Sequence, residues 1–442
     1  MIKQPRIHTD ILYFYFTNSK TSMTNLITIL LILFFSLNIY SHGSAGSIPS
    51  DETSNRAINF PDTKQYKTLV TDLHTHSVFS DGHVWPNIRV GEALRDGLDV
   101  LAVTEHLEYQ PHREDIPNPD RNKSFIEAKA AAGNSDILII NGSEITRNMP
   151  PGHINAVFIK DANKLINIDP SKEEEAQAEL EKRLDELRGR DRKVADYFAL
   201  ASMWPPEKAI QAANDQDAFV FWNHPMWGSQ KSDGIAELMP MHKDLIEKGL
   251  LHGIEVVNGE GYSEEAFQIA IDNNLAVIGT SDVHNLIDWD YKPHLGGHRP
   301  VTLVFANSKR ENSVKEALKD RRTVIWFKNT LFGIKRNLQP LLEASLSIES
   351  ASYNNRTQIL SVSIKNNSDV LFLLKNKSDF TFTNSEDLVE VPAQGTKYLG
   401  VKTITRLNLL QLDFEVLNAL QAPKVTSKLT LKKRGLNLKF FL

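Results

Sequence analysis

Short apolar runs alternate with amphipathic segments between residue 68 and about residue 335. Each run is typical of a strand buried in a parallel sheet; the runs are residues 68–73, 98–103, 137–140, 218–222, 253–257 and 275–279. Helical periodicity lies between them, as in residues 86–96, 207–214 and 263–273. Repeated strand–helix units of this kind predict an α/β sheet or barrel, which we assign to residues 67–338.

After Pro340 the pattern changes to one of alternating polar and apolar positions. Residues 346–350, 358–364 and 397–404 alternate in this way, and turns rich in Asn and Ser, such as residues 366–369, separate them. This pattern predicts a small all-β, sandwich-like domain over residues 343–442. The segment contains no histidine, so we expect no catalytic role for it.

The N-terminus carries an apolar core at residues 26–40, followed by small residues from Ser41 to Gly46. The core is short for a membrane span and suits a signal peptide within residues 1–46, with a polar linker at 47–66. Met23 directly precedes the core, which indicates that translation starts there. An uncleaved N-terminal anchor is the alternative. Both interpretations predict an exported protein, periplasmic or extracellular, with no other membrane-spanning segment.

Residues 171–193 form a charged segment with a narrow leucine stripe at Leu180, Leu184 and Leu187. The pattern favours a solvated helix, inserted into the barrel and packed along one edge. A lid or a dimer contact is the alternative. We make no prediction of oligomeric state.

The composition limits the ligands and the kinds of metal site that the chain can offer. The 442 residues carry a formal net charge of −5, so we expect no binding of nucleic-acid polymers. The chain has no cysteine and 14 histidines. Any metal ion must therefore be bound by imidazole and carboxylate groups, which suit Mn, Zn and Fe alike.

The segment from Asp72 to Gly82 reads DLHTHSVFSDG. Side chains alternate along an extended strand, so His74 and His76 face the same way and can chelate one divalent cation. Asp81 follows in a Ser-Asp-Gly turn, where Gly82 permits a sharp bend back over the strand end.

Similar residues recur at the later strand ends. His or carboxylate residues end or begin the apolar runs that follow, namely His106, Glu144, His153, His224, Asp282 and His284. In an α/β barrel the carboxyl-terminal strand ends converge on one mouth. A single strand histidine is usually structural, but a series of them at one mouth predicts a metal cluster.

The string HxH, SDG, TEH, GSE, GH, NHP and SDVH resembles the PHP (polymerase and histidinol phosphatase) superfamily over about residues 68–335. The resemblance implies a distorted (βα)7 barrel that binds two or three divalent metal ions and hydrolyses phosphoric esters. It implies a first metal on His74, His76, Glu144 and Asp282, a second on Glu144, His153 and His224, and a third on Asp81, His106 and His284. Glu105 departs from the usual Asp of the family, and we expect it to support the ligands.

Residues 85–99, 105–112 and 297–302 are similar to the Sb-PDE type of exported bacterial phosphodiesterase. This finer resemblance implies hydrolysis of small phosphodiesters, a small-molecule substrate, by attack of a metal-bound hydroxide. The first alternative is a phosphomonoesterase of the histidinol-phosphatase type. The second, less favoured, is a non-catalytic metal-binding surface protein.

A few further residues are candidates for direct roles in the reaction. Asp282, His284 and Arg147 are the predicted catalytic residues, and Arg147, Arg299, His298 and His83 are the predicted substrate-binding residues. An arginine could clamp the phosphoryl oxygens, and a loop histidine could protonate the leaving group. For each arginine the alternative is a surface salt bridge, and for each loop histidine it is an exposed position with no role in the reaction.

Overall fold

The computed structural model describes residues 56–112, 115–166, 204–354 and 357–439, together with residues 175, 178 and 182. The predicted signal peptide within residues 1–46, the linker up to residue 55 and most of the charged segment 171–193 lie outside this part. Of the described helices, none has the length and apolar character needed to cross a membrane.

Seven strands form the barrel. Their bounds are Lys67–Asp72 (β1), Val100–Val103 (β2), Leu138–Ile145 (β3), Ile154–Val157 (β4), Phe219–Trp222 (β5), Gly253–Asn258 (β6) and, after the short strand Gly261–Tyr262 (β7), Ala276–Thr280 (β8). They are hydrogen-bonded in the order β1-β2-β3-β4-β5-β6-β8, and only β4 is antiparallel to its neighbours. A parallel bridge between Thr75 and Val283, just past β1 and β8, joins the two ends of the ring. The predicted distorted seven-stranded barrel is confirmed.

Helices cover the outside of this barrel. Their bounds are Pro86–Arg95 (α1), Lys123–Ala132 (α2), Pro206–Asn214 (α3), Pro240–Glu247 (α4), Glu264–Asp272 (α5), Ile287–Asp290 (α6), Glu311–Lys319 (α7) and Lys335–Ser345 (α8), with 3₁₀ turns at Ala162–Leu165 and Pro293–Leu295. Helix α5 shows why these segments are helical. The Ser263 side chain accepts a hydrogen bond from the Ala266 backbone N–H, and Ala266, Phe267 and Ala270 form one buried face.

Antiparallel strands extend the barrel sheet towards the C-terminal domain. Val301–Ala306 (β9) pairs with β1, and Thr323–Phe327 (β10) and Thr330–Phe332 (β11) follow. Strand β10 packs against β8 of the barrel. Gly279 of β8 permits this close approach, because a Cβ at this position would collide with Cγ2 of Ile325 in β10. The composition change at Pro340 falls inside α8, and the first strand of the all-β region begins at Leu346.

The C-terminal region is a sandwich of two sheets, as the sequence predicts. Its strands are Leu346–Asn354 (β12), Ile359–Asn366 (β13), Phe372–Asn376 (β14), Leu388–Val391 (β15), Thr396–Lys402 (β16), Leu409–Ala422 (β17), Val425–Arg434 (β18) and Asn437–Lys439 (β19). One sheet has the order β16-β13-β12-β19. In the other, β17 pairs in parallel with β11, so that this sheet is continuous with the barrel sheet.

A shared core joins the two regions. Leu338 and Leu341 of α8 are fully buried in one cluster with Trp326 of β10 and with Phe372 and Phe414 of the sandwich. Burying a side chain of this size stabilises a fold by about 1.5–3 kcal/mol. The sandwich is therefore packed against the barrel as part of one compact unit.

Candidate metal centre

The nine predicted ligand residues lie at one end of the barrel. His74 and His76 follow β1, His106 follows β2, Glu144 lies near the end of β3, His224 follows β5, and Asp282 and His284 follow β8. His153 precedes β4, but β4 runs antiparallel to the other strands, so its start lies at the same end as their carboxyl termini. Asp81 lies in the loop after β1, 3.1 Å from His284, so every member of the set is at the mouth where the strands converge.

Glu144 lies at the centre of the group and is fully buried. Its Oε1 is 2.9 Å from Nδ1 of His153 and 3.3 Å from Nε2 of His224. Its Oε2 is 2.7 Å from Nδ1 of His106. Asn223 Nδ2 donates a hydrogen bond of 2.9 Å to Oε1 and so fixes the carboxylate. Glu144 thus has the position that a bridging ligand needs.

Four groups form the best-defined position for an ion. The Nε2 atoms of His74 and His76 are 3.0 Å apart, and Asp282 Oδ1 lies 3.2 and 3.1 Å from them. Glu144 Oε2 lies 3.6 and 3.5 Å from the same two nitrogens. The structure brings together the set expected for the first metal.

Asp81 organises a second group of side chains. Its Oδ1 is 3.1 Å from His284 Nε2 and 3.8 Å from His76 Nδ1, and its Oδ2 is 3.4 Å from His106 Nε2. A third group consists of His106, Glu144 and His153. His76 and His106 each belong to two of these groups. The structure therefore does not assign each histidine to a single metal position, although the family resemblance implies such an assignment.

The residues present fit divalent cations. Among the described residues, Asp81 Oδ1, Glu144 Oε2 and Asp282 Oδ1 are buried carboxylate oxygens with no hydrogen-bond partner outside the cluster, and only imidazole nitrogens of the other ligand candidates lie close to them. A buried anionic oxygen needs a compensating positive charge, which a protonated imidazole or a bound metal cation can supply. Imidazole and carboxylate are ligands that Mn, Zn and Fe all accept.

The pKa values of the clustered carboxylates and histidines are also shifted by one another. Burial alone would raise the pKa values of Glu144 and Asp282, but nearby histidines, chiefly His106 and His74 respectively, lower them. Burial alone would lower the pKa of His284, but the carboxylates of Asp81 and Asp282 raise it to about 9. Without metal, His284 therefore retains a proton between the carboxylates of Asp81 and Asp282, whereas burial lowers the pKa of His153 to about 4 although it faces Glu144.

The comparisons with known proteins agree with this geometry. A two-domain protein from Bacteroides vulgatus, which contains a predicted PHP-like metal-dependent phosphoesterase, is 36% identical to this chain. The match covers 85% of this chain and 98% of the other, with a TM-score of 0.72. The chain belongs to the PHP-like metal-dependent phosphoesterases. It is accordingly a metal-binding hydrolase of phosphoric esters.

Other matches add detail to this family assignment. Residues 346–432 match the model of the Ig-like domain family DUF5001, in agreement with the sandwich. A proposed metal-dependent phosphoesterase from Bifidobacterium adolescentis is 19% identical (49% of this chain, 88% of that one, TM-score 0.34). An amidohydrolase from Chromobacterium violaceum is 18% identical (49% of this chain, 87% of that one, TM-score 0.34). These two likenesses are too partial to extend to function, and no curated protein matches the chain.

Glu255 supports the centre of this PHP-like protein, and the sequence analysis missed it. Its Oε1 accepts hydrogen bonds from His74 Nδ1 at 2.8 Å and Thr280 Oγ1 at 2.6 Å. Its Oε2 accepts from the His224 backbone N–H at 2.7 Å and from Asn258 Nδ2 at 2.9 Å. Because Nδ1 of His74 donates to Glu255, Nε2 is the nitrogen of His74 that would bind a metal ion. The available signal was an acidic residue within the apolar run 253–257.

Glu105, which replaces the usual Asp of the PHP family, is not a ligand candidate in the structure. It accepts hydrogen bonds from the Ser77 backbone N–H at 3.0 Å and from the hydroxyls of Ser77, Ser80 and Ser124. Ser80 Oγ also lies 3.2 Å from His76 Nδ1. Glu105 therefore holds the loop that leads to Asp81, in the supporting role expected of it.

Arg147 requires a correction. We expected a clamp on phosphoryl oxygens, but the side chain is buried, with Nε 2.7 Å from Glu108 Oε1 and Nη1 donating to the Trp204 carbonyl. Glu108 in turn accepts from the Thr146 backbone N–H, and Thr146 Oγ1 lies 2.6 Å from His106 Nδ1. Arg147 thus positions the segment beside a ligand candidate.

Arg299 and His298 also differ from the prediction. Arg299 is 1% exposed and forms ion pairs with Asp72 at 3.2 Å and Asp96 at 2.7 Å, which leaves it buried between carboxylates. His298 stacks on Trp326 with ring centroids 3.5 Å apart. Arg299 is therefore occupied by carboxylates, and His298 lines a cavity with Arg56 and Tyr291 that none of the nine ligand candidates lines. Asp72 and Asp96 lie more than 200 residues before Arg299, so no local sequence pattern indicates these ion pairs.

His83 stays a prediction. Its backbone N–H donates to the His284 carbonyl at 2.8 Å, and its exposed ring contacts Asn285 Oδ1 at 2.7 Å. The ring is therefore near the mouth. The predicted catalytic residues Asp282 and His284 are both within the cluster, where they serve first as ligand candidates.

Proposed function

We propose that this PHP-like protein is an exported phosphodiesterase that hydrolyses small phosphodiesters. The observation that carries the proposal is the convergence of nine imidazole and carboxylate side chains, Glu144 among them, at one end of the barrel, where three buried carboxylate oxygens face only imidazole nitrogens of the same cluster. These residues would hold two or three divalent ions, Mn, Zn or Fe. Bound divalent ions lower the pKa of coordinated water from 15.7 towards ~7 and neutralise phosphoryl oxygens.

The protein's own residues fix the site for that chemistry. Glu255 orients His74 and, through a backbone bond, the turn that carries His224. Asn223 fixes Glu144, and Asn258 Nδ2 donates to Asp282 Oδ2 at 3.2 Å. Such contacts hold ligands in place before substrate arrives, which is the protein's main contribution to metal-assisted hydrolysis.

The placement of the arginines favours a diester over a monoester. A monoester is a dianion and calls for more positive charge beside the metals than a diester monoanion does. In the described part of the chain, Arg147 is paired with Glu108, Arg299 with Asp72 and Asp96, and Arg89 with Glu92 at 2.7 Å. Each guanidinium is thereby neutralised by a buried carboxylate.

Rates with bis(p-nitrophenyl) phosphate and p-nitrophenyl phosphate, each in the presence of Mn, Zn or Fe, test the proposal. We expect faster turnover of the diester, loss of turnover in Asp282→Ala, and no change in Asp217→Asn, an exposed residue that pairs with Lys315 and Lys319. A clear preference for the monoester would replace our proposal with a phosphomonoesterase of the histidinol-phosphatase type.

The Sb-PDE-type assignment and the export of the protein belong to the same proposal. Support comes from the sequence similarities at residues 85–99, 105–112 and 297–302 and from the apolar core at residues 26–40. Expression of the full chain in a bacterial host, followed by N-terminal sequencing of the exported fraction, tests export. Recovery of the protein only in the cytoplasm would contradict it.

A further inference from the structure

Trp227 lies beside two of the metal-ligand candidates. Its ring centroid is 5.2 Å from that of His224 and 5.5 Å from that of His153, with interplanar angles of 73° and 63°. Both histidines are buried, whereas 45% of Trp227 is exposed. The indole therefore packs against the cluster and presents its remaining surface at the barrel mouth.

The position of this ring is fixed by the turn that carries His224. The Trp227 backbone N–H donates to the His224 carbonyl at 2.8 Å, and the Trp227 carbonyl accepts from the N–H groups of Gln230 and Lys231. Gln230 Nε2 donates to the Arg147 carbonyl at 2.9 Å, which ties the turn to the neighbouring loop. A ring held in this way loses little conformational freedom when a ligand stacks on it.

We propose that Trp227 stacks on the organic group of the substrate, and that the enzyme prefers esters with a planar aromatic or heteroaromatic group next to the phosphoryl group. The inference rests on the proposed function, because the phosphoryl group must lie at the cluster for its substituent to reach the indole. Aromatic rings interact favourably at centroid separations of 4.5–7 Å. A second ring, that of Tyr109, lies 5.8 Å from His106 and adds to the aromatic surface beside the cluster.

The other exposed tryptophans provide a comparison within the same chain. Trp85 packs edge-on against Phe79, with ring centroids 5.6 Å apart, in the turn before α1. Trp289 lies on α6 and is 65% exposed. Among the described residues, no ring contact joins Trp289 to a ligand candidate, so Trp289→Leu removes an exposed indole of the same size that does not pack against the cluster and serves as the matched control.

Binding of phenylphosphonate and methylphosphonate to the metal-loaded protein tests the inference without requiring turnover. Both ligands present the same phosphonate to the metals and differ only in the planar group. We expect the wild type to prefer phenylphosphonate, and Trp227→Leu to reduce that preference by about tenfold, the change that a contact of ~1.4 kcal/mol produces. Trp227→Phe should keep most of the preference, and Trp289→Leu all of it.

Three outcomes would overturn the inference. They are an unchanged preference in Trp227→Leu, no preference in the wild type, and a loss of bound metal in Trp227→Leu that explains its weaker binding. Metal content is therefore measured for every variant. Hydrolysis of bis(p-nitrophenyl) phosphate is followed in parallel. A protein that shows the expected binding pattern but hydrolyses no diester would refute the proposed function and leave the role of Trp227 in place.

Discussion

Replacing Glu255 with glutamine should weaken metal binding more than any other change outside the ligand set. The carboxylate is fully buried and accepts four hydrogen bonds, two at each oxygen. A glutamine amide can accept at one oxygen only. If that oxygen faces His74, the amide nitrogen opposes the donors on His224 and Asn258. If it faces away, the amide donates to His74 Nδ1 and moves that proton to Nε2, where the metal must bind.

The expected size follows from this loss. Removing a group that orients a metal ligand typically lowers affinity 10- to 100-fold, which is about 1.4–2.7 kcal/mol. Metal titration by calorimetry measures it directly. The control is Glu260→Gln, which changes an exposed glutamate beside the same strand, paired with Lys328. Wild-type metal affinity in a folded Glu255→Gln protein would refute the role that we assign to Glu255.

Three further predictions follow from the structure. Arg147→Met should lower the melting temperature, because breaking a buried ion pair costs ~3–5 kcal/mol. The double variant Arg147→Met/Glu108→Gln should recover part of that loss. A raised KM with unchanged stability would show instead that Arg147 binds the phosphoryl oxygens of the substrate. Metal binding at pH 8 should release protons, since His284, with a pKa raised to about 9, is protonated in the metal-free protein, and equal binding heats in buffers of different ionisation enthalpy would contradict this. Chelation should abolish ester hydrolysis and lower the melting temperature, with recovery on adding Mn; full activity after complete metal removal would contradict the account.

The ligand set could be predicted because imidazole and carboxylate residues recur next to successive apolar runs, although each of them alone is a weak signal. Buried strands such as residues 98–103 are visible as apolar runs, and the residue that ends each run lies at the mouth of the barrel whatever the packing outside. His153 could be included because it begins a strand, although its antiparallel direction was not predicted.

The supporting contacts could not be predicted in the same way. Whether an arginine binds substrate or a buried carboxylate depends on partners brought together only by folding, as for Arg299 with Asp72, more than 200 residues earlier. The pairing of β11 with β17 is a contact of the same kind. Glu255 could have been suspected, since a buried acid in an apolar strand needs partners, but its partners could not be named.

The most direct test of the central claim is anomalous diffraction from crystals of the Mn-loaded protein at the manganese edge. Our account predicts two or three peaks per chain within the nine-residue cluster, one of them bound by His74, His76, Asp282 and Glu144, with Glu144 shared between two peaks. No peak there, or a single peak with the remaining carboxylates hydrogen-bonded to protein groups, would contradict it.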